Sequence, residues 1–395
     1  MDFHTLKDLH VRGKRVLVRE DLNVPMNGQT VADFTRIDAA LPTLRYLSEH
    51  GAKTIVLSHL GRPKGKPDPS YSLRPVAQAL AERLGIPVAF ASDCVGEPAQ
   101  KAVDALADGQ ILLLENVRFH PGEEANDPAF AKDLASLGDL YVNDAFGTAH
   151  RAHASTEGIA HDLPSAAGFL MEAELAALSG LVSKPAQPFV CVIGGAKVKD
   201  KVEVFTALMQ RVHAFCIGGG MANTFLAAKG IDVGKSLRDD DLEPAKRIIE
   251  RARTKDVSLL LPVDAVVSTA FDNDAGAHTV ELSQVSDALM ILDIGPKTAA
   301  EYAKIIETAR TIVFNGPMGV YEKKPYQNGT KVVGEAIARA TAAGAVSVVG
   351  GGDAAAAAHE LGFADKMTHV STGGGATLEF LEGKTLPGVA ALQAP

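Results

Sequence analysis

Residues 190–201 read VCVIGGAKVKDK. An apolar, β-branched run stops at Gly194 and Gly195, and Lys197 and Lys201 follow, four residues apart. A near-continuous apolar strand is one buried on both faces, as in a parallel sheet. Such a sheet meets its ligands beyond the carboxyl ends of its strands, so cations placed there point to phosphate. The stretch is nevertheless neither of the two common phosphate loops. A P-loop needs G-x-x-x-x-G-K-[ST] and a dinucleotide fingerprint needs G-x-G-x-x-G. No complete match to either occurs among the 37 glycines, and the GKS at Gly234 and GKT at Gly383 lack the glycine five residues earlier.

Similar short runs recur on both sides of this stretch. The first half offers residues 15–20, 54–59, 87–91, 111–116 and 140–144. The second offers 189–195, 214–220, 257–263, 311–317, 345–352 and 368–375. Apolar periods near 3.6 fill many of the gaps, as at 73–84, 200–211 and 330–343. Strand–helix alternation predicts α/β architecture, with parallel sheets covered by helices on both sides. Eleven strands overfill one open sheet, so two doubly wound sheets are expected, one in residues 1–170 and one in 171–382. The seam is FLMEAELAALSGLVSKPAQP, read as a connecting helix ending near Gly180 and followed by Pro185 and Pro188.

At 395 residues and 46% hydrophobic content, the chain can fill two sizeable cores. Its formal net charge of −9 argues against a nucleic-acid partner, so any cation cluster serves a small anion. Cys94, Cys191 and Cys216 are too far apart for a C-x-x-C motif, which fits a reduced, cytosolic chain. The opening MDFHTLKDLH has no apolar signal core, and VSLLLPVDAVV is too short and too interrupted to span a bilayer.

The residues just past each strand differ between the halves. In the first half they are polar and mostly basic. Arg19, Asp21 and Asn23 follow the first run, His59 and Arg62 the second, Arg118 and His120 the fourth, and His150, Arg151 and His153 the fifth. Arg36 follows in ADFTRIDAA, at an expected helix start. A single arginine near a strand end is ordinarily a surface residue, and a single histidine more often packs than catalyses. Four strand ends that bring cations to one sheet edge outline an anion site, and guanidinium forks favour phosphate or carboxylate. In the second half the ends are glycine, at Gly194–Gly195, Gly218–Gly220, Gly316, Gly350–Gly352 and Gly373–Gly375. One such turn is usually a tight connection, but several on one edge let backbone approach a flat, phosphate-bearing ligand, a nucleotide. GGGDAAAAAHEL and STGGGATLEFL each open a helix, whose free N–H groups favour anions. Asp353 is either an N-cap or a ligand for Mg2+ beside a phosphate.

One half for a small anionic acid and one for a nucleotide make a two-lobed phosphotransferase outline. Two rival readings share the fold class. An NAD-dependent dehydrogenase lacks support without G-x-G-x-x-G, and a two-lobed solute-binding protein needs fewer charged groups.

Ten stretches carry a resemblance in order along the chain: RVLVREDLNVP, SHLGRP, ENVRF, NDAFGTAHRAHAS, GGAKVKDK, GGGMANTF, LDIGPKT, NGPMGVYE, GGGD and STGGGATLEFLEGKTLPGV. The sequence resembles the phosphoglycerate kinase family over essentially its full length. The resemblance implies a hinge-closing, cytoplasmic monomer of two Rossmann-like domains, with residues 383–395 returning to the first. It implies reversible, Mg2+-dependent phosphoryl transfer between 1,3-bisphosphoglycerate and ADP, giving 3-phosphoglycerate and ATP. By the family's motifs, Asp21, Asn23, Arg36, His59, Arg62, Arg118 and Arg151 hold the 3-phosphoglycerate moiety. Arg19, His150 and His153 belong to the surrounding basic patch. Lys197 and Lys201 match the nucleotide-phosphate lysines, Glu322 the ribose ligand, and Gly350, Gly351, Gly352 and Asp353 the phosphate and metal turn. Gly195 and Gly219 belong to the glycine turns on the nucleotide side. Arg36 and Lys197 would act on the transferred group from opposite sides, with Gly373 and Gly374 adding backbone donors. Two positions depart from the family pattern. Ala354 stands where a hydroxyl is usual near the nucleotide phosphates, and Ile291 where glycine is usual near the adenine pocket.

Overall fold

The computed structural model describes residues 3–393, so residues 1, 2, 394 and 395 of the two expected domain ranges lie outside it. The chain divides into two compact units. One runs up to Ala176 and takes up the chain again from Thr385, and the other is Ala177–Lys384. The boundary falls inside the helix Phe169–Ser183. That helix does not stop near Gly180. An added Cβ at Gly180 would meet nothing, and one glycine inside a helix costs only ~1 kcal/mol, too little to end it.

The first unit is built on a six-stranded, wholly parallel sheet. Its spatial order is Val88–Phe90, Ile111–Leu113, Lys53–Leu57, Arg15–Arg19, Leu140–Asn143, Ser165–Ala167. Leu17, Val18, Ile55, Val56, Leu112, Leu113 and Val142 are all fully buried, as helices on both faces require. The first strand is central. The chain leaves it toward one edge and later returns to its other side at Leu140–Asn143, which makes the gap between these two strand ends the topological switch point. The chain's end packs on this unit: Gly388 N–H donates to Ala149 O at 2.9 Å and Gly388 O accepts from Asn143 Nδ2 at 3.4 Å.

The second unit repeats the principle in the order Ser258–Leu260, Ala214–Ile217, Phe189–Ile193, Thr311–Asn315, Val346–Val349, His369–Val370. By chain order this is 3-2-1-4-5-6, the dinucleotide-binding arrangement, with its switch point between Phe189–Ile193 and Thr311–Asn315. The quoted stretch VCVIGGAKVKDK therefore begins in the central strand and crosses the switch point.

Two features escape the sequence pattern. Ser165–Ala167 carries no β-branched residue, and its partner strand supplies the order. A three-stranded antiparallel sheet, His278–Glu281, Asp264–Ser268 and Met290–Ile294, is inserted before the fourth strand of the second unit. Its outer strand is mostly exposed, and although Asp264–Ser268 and Met290–Ile294 are largely buried, local pattern does not reveal that they pair with each other.

The two strand ends at the second switch point approach until only glycine fits. A Cβ on Gly194 would lie 1.8 Å from Pro317 O, and one on Gly316 would lie 2.5 Å from Gly194 O. We expect Gly194→Ala to force these ends apart and to cost about 3 kcal/mol, at the upper end of ordinary overpacking. Denaturant unfolding followed by a probe in the second unit checks this. A loss below about 0.5 kcal/mol, the surface-substitution range, would show that the ends separate freely.

Candidate functional site

In the first unit the switch point is occupied by a buried cation. Arg19, 1% exposed, ends the central strand. Its Nε donates to Ser155 Oγ at 2.8 Å, its Nη1 to Glu20 O, and its Nη2 lies 3.1 Å from His59 Nδ1. Arginine can only donate, so His59 Nδ1 accepts. His59 is then neutral, with its proton on Nε2. Burial first, and then the guanidinium charges of Arg19, Arg118, Arg36 and Arg151, hold its pKa well below the usual imidazole range. Four arginines thus converge on one buried ring. The same cause, burial followed by Arg118, Arg19, Arg151 and His150, brings His153 down to about 4.

The buried carboxyls nearby are disfavoured as anions. Burial, and then the neighbouring Asp144, push Glu20 well above the carboxylate range. Glu123 is also raised by burial, although it accepts from Ser155 N at 2.9 Å and Ser155 Oγ at 2.6 Å. Arg36 and Arg118 have carboxylate partners, Asp21 at 2.8 Å and Glu124 at 3.6 Å, while Arg19 is held by uncharged groups and leaves its charge at the edge.

The other expected residues gather around it. Arg36 is the second residue of the helix Thr35–Glu49, and its Nη1 meets both carboxylate oxygens of Asp21 at 2.8 Å. Asn23 Oδ1 accepts from Gly61 N at 2.8 Å, and Arg118 Nη1 donates to Gly61 O at 2.9 Å, so both brace the loop that carries Arg62. Arg62 itself is exposed. Arg151 Nε lies 3.2 Å from His150 Nε2. His120 turns elsewhere, placing Nε2 2.7 Å from Asp93 Oδ1.

The second unit carries a cleft of about 750 Å3 beside its switch point. Gly195, Gly219, Glu322, Asp353 and Ile291 line it, and Leu226, Leu237, Phe271, Leu292 and Met318 give it apolar walls. Much of one wall comes from the inserted antiparallel sheet, which the sequence pattern missed. The size and apolar character suit a purine base. Leu237 and Phe271, 58% and 47% exposed, are large apolar groups that such a base would cover.

Lys201 Nζ donates to Gly194 O at 2.8 Å, Asn315 O at 2.8 Å and Asn315 Oδ1 at 2.5 Å. All three of its donors are thus engaged in tying the switch-point strand ends together, and burial lowers its pKa to about 8. Asn315, which the sequence reading passed over, also donates from Nδ2 to Gly350 O at 2.6 Å, joining a third strand end. Lys197 is exposed on the preceding loop. Gly351 caps the helix Gly352–Glu360 with φ 99°, and Asp353 is exposed in that helix's first turn. Gly374 caps Gly375–Leu381, while Gly373 N–H already donates to Ser371 Oγ at 3.1 Å.

Ile291 does line the cleft, with its N–H held by Ser236 Oγ at 2.7 Å. Ala354 does not. It is 1% exposed and belongs to the core cluster of Phe314, Val349 and Phe363, so a hydroxyl added there would enter apolar packing. One residue on from Asp353, the helix has turned by about 100° toward the sheet.

Two doubly wound units, one with convergent arginines and one with a nucleotide-sized cleft, are the equipment of a two-domain phosphotransferase. The chain belongs to the phosphoglycerate kinase family, whose profile matches residues 6–384. It is 55% identical over 397 residues to a phosphoglycerate kinase of Chloroflexus aurantiacus, covering 100% of this chain and 99% of the relative. It is also 55% identical to that of Moorella thermoacetica over 390 residues, 98% of each chain. Among solved structures, phosphoglycerate kinase from Coxiella burnetii superposes with a TM-score of 0.90 at 43% identity, covering 99% of this chain and 98% of that one. The enzyme from Pyrococcus horikoshii OT3 gives 0.86 at 35% identity, with 98% of each chain covered. The activity is accordingly the family's: reversible phosphoryl transfer between 1,3-bisphosphoglycerate and ADP in glycolysis.

The arginine field has a measurable consequence at His153. Its folded pKa of about 4 lies below the ordinary imidazole value of 6.5, so between these values the unfolded chain binds more protons than the native one. Its contribution to stability is complete above about 6.5 and is lost as pH falls through about 4. An anion that neutralises the guanidinium charges should raise this pKa. We expect NMR titration of the His153 ring to show the low value in free protein and a rise in saturating 3-phosphoglycerate. A normal imidazole pKa in the free protein would contradict the convergence of arginines.

Proposed function

We propose that catalysis is divided residue by residue between the units. The first holds the 3-phosphoglycerate moiety with Arg62, Arg118, Arg151, the His59 Nε2–H and Asn23. Asp21 orients Arg36. In the second unit, Lys197 and the turns at Gly195, Gly219, Gly350, Gly351 and Gly352 meet the nucleotide phosphates, and Glu322 meets the ribose. Lys201 contributes chiefly by organising the strand ends, its charge adding to the field there. The single observation that carries the proposal is the buried Arg19–His59 contact at the first switch point, with Asn23 and Arg118 both bound to Gly61 in the loop that carries Arg62.

The acceptor carboxylate of 3-phosphoglycerate is ionised at neutral pH, so no general base is required. What remains for the protein is positioning and stabilisation of charge on the transferred group. Arg36 acts from the acid side and Lys197 from the nucleotide side, with backbone donors from Gly374 and, once released from Ser371, Gly373. Closure of the two units would exclude the water that would otherwise consume the phosphoryl donor.

The residues present fit Mg2+. Asp353 offers one exposed carboxylate at the glycine turn of the cleft, and Mg2+ takes one or two carboxylates together with substrate phosphates and water. When bound with the nucleotide, Mg2+ neutralises phosphate charge. We place the activity in the cytoplasm, in a monomer. The three free, buried cysteines accord with a reducing compartment, and among the described residues no helix is long and apolar enough to cross a membrane.

Steady-state kinetics in the ATP-forming direction test the assignment. Arg36→Ala should lower kcat by ~10³-fold or more, the range of an arginine acting on a transferred phosphoryl group, with a far smaller change in KM. Arg36→Lys should restore little, because a point charge cannot reproduce the planar fork that Asp21 holds. A variant that mainly raises KM for 1,3-bisphosphoglycerate and keeps kcat would make Arg36 a ground-state binder.

A further inference from the structure

His120, which sequence reading grouped with the basic edge, belongs to a different cluster. Asp93 and Cys94 lie on the loop after the strand Val88–Phe90, and His120 lies on the segment after Ile111–Leu113. These strands are hydrogen-bonded neighbours in parallel, Val88 opposite Ile111 and Phe90 opposite Leu113. Both loops therefore leave the same sheet edge side by side, and the sheet sets their separation. One donor atom from each of Asp93, Cys94 and His120 lies within 4.8 Å of the other two.

The donors are held in place. Asp93 Oδ1 accepts from Cys94 N at 2.7 Å and lies 2.7 Å from His120 Nε2. The His120 ring stacks on Phe130, with centroids 5.1 Å apart and planes inclined by 25°. Cys94 is fully buried, whereas the Asp93 and His120 side chains remain 40% and 30% exposed. The cluster thus has a closed sulfur side and an open nitrogen–oxygen side.

We propose that Asp93, Cys94 and His120 form a binding site for a borderline-soft divalent metal ion of the zinc type, distinct from the magnesium–nucleotide site. Sulfur, imidazole nitrogen and carboxylate oxygen are the three donor types that zinc accepts together, and three protein ligands leave a fourth position for water. Mg2+ is a poor occupant, because it demands six hard oxygens in near-octahedral array. Coordination opens the Asp93–His120 hydrogen bond, and the Cys94 thiol proton leaves to solvent as sulfur binds the metal.

The test is titration of Zn2+ into metal-free, nucleotide-free protein, in competition with a chromophoric chelator. We expect one ion per chain, with affinity reduced at least ~10-fold by Cys94→Ser and by His120→Asn, since each removes a ligand outright. Co2+ in place of Zn2+ should give a thiolate-to-metal charge-transfer band that Cys94→Ser abolishes. Because Cys94 is in the core, a second readout leaves it unaltered: Zn2+ should slow alkylation of Cys94, read by mass spectrometry, without slowing that of Cys191 or Cys216 in the other unit. Equal Zn2+ affinity in wild type and His120→Asn, a Co2+ spectrum without the thiolate band, or alkylation of Cys94 indifferent to Zn2+ would each overturn the site.

Discussion

A buried cation sits at the topological switch point of each unit. Parallel strands that part company at such a point leave backbone carbonyls with room for a second donor: Glu20 O already accepts from Ser58 Oγ, and Asn315 O from Gly194 N–H. In the first unit Arg19 fills that role, reaching Glu20 O, Ser155 Oγ and His59. In the second Lys201 does, reaching Gly194 O, Asn315 O and Asn315 Oδ1. Arg19 ends the first strand of its sheet, and Lys201 reaches back to the end of the other sheet's first strand from the turn Lys199–Lys201. Burying a charge is costly, and the carbonyl and hydroxyl oxygens only partly replace the lost hydration. Both switch points therefore retain positive potential, and an anionic ligand relieves it. The groups that close the strand ends thus also leave positive charge beside them.

The two points solve the problem with different chemistry, and the difference matches the ligands. Around Arg19, burial and then further guanidinium charges keep His59 and His153 neutral. Planar forks at fixed positions suit a small acid carrying a carboxyl and a phosphate. Around Lys201 the additional cover is glycine, so that backbone from three strand ends approaches closely, and the cleft beside it is walled by apolar side chains. That combination accepts a flat base and a chain of phosphates. Neither set contains a nucleophile that the reaction requires. Rate acceleration by position and field is consistent with a reaction in which substrate carboxylate attacks phosphorus directly.

The periodic parts of the fold were legible because they are governed by local pattern. Five strands of the first sheet and all six of the second stand out as apolar runs, and the arginines follow their carboxyl ends. What the sequence hid depends on distant partners. Ser165–Ala167 is a strand because Leu140–Asn143 offers it a ladder, not because Ser-Ala-Ala prefers one. The inserted antiparallel sheet has an exposed outer strand, and its other two strands pair across segments that no local period links. Arg19 looked like one member of a patch, yet it is the buried centre of it, through a contact with Ser155 136 residues away. Asn315 read as a strand terminus, and only the neighbouring Lys201 and Gly350 reveal it as a junction. Ala354 follows Asp353 in sequence, but the helix turns its methyl into the core.

The central claim is that each unit's switch point holds its own anion with its own groups. Calorimetric titration of 3-phosphoglycerate and of ADP, each alone, onto the Arg62→Ala and Lys197→Ala proteins tests it most directly. The account predicts a double dissociation. Arg62→Ala weakens 3-phosphoglycerate and leaves ADP at its wild-type affinity, and Lys197→Ala does the reverse. Comparable losses for both ligands in either variant would contradict it.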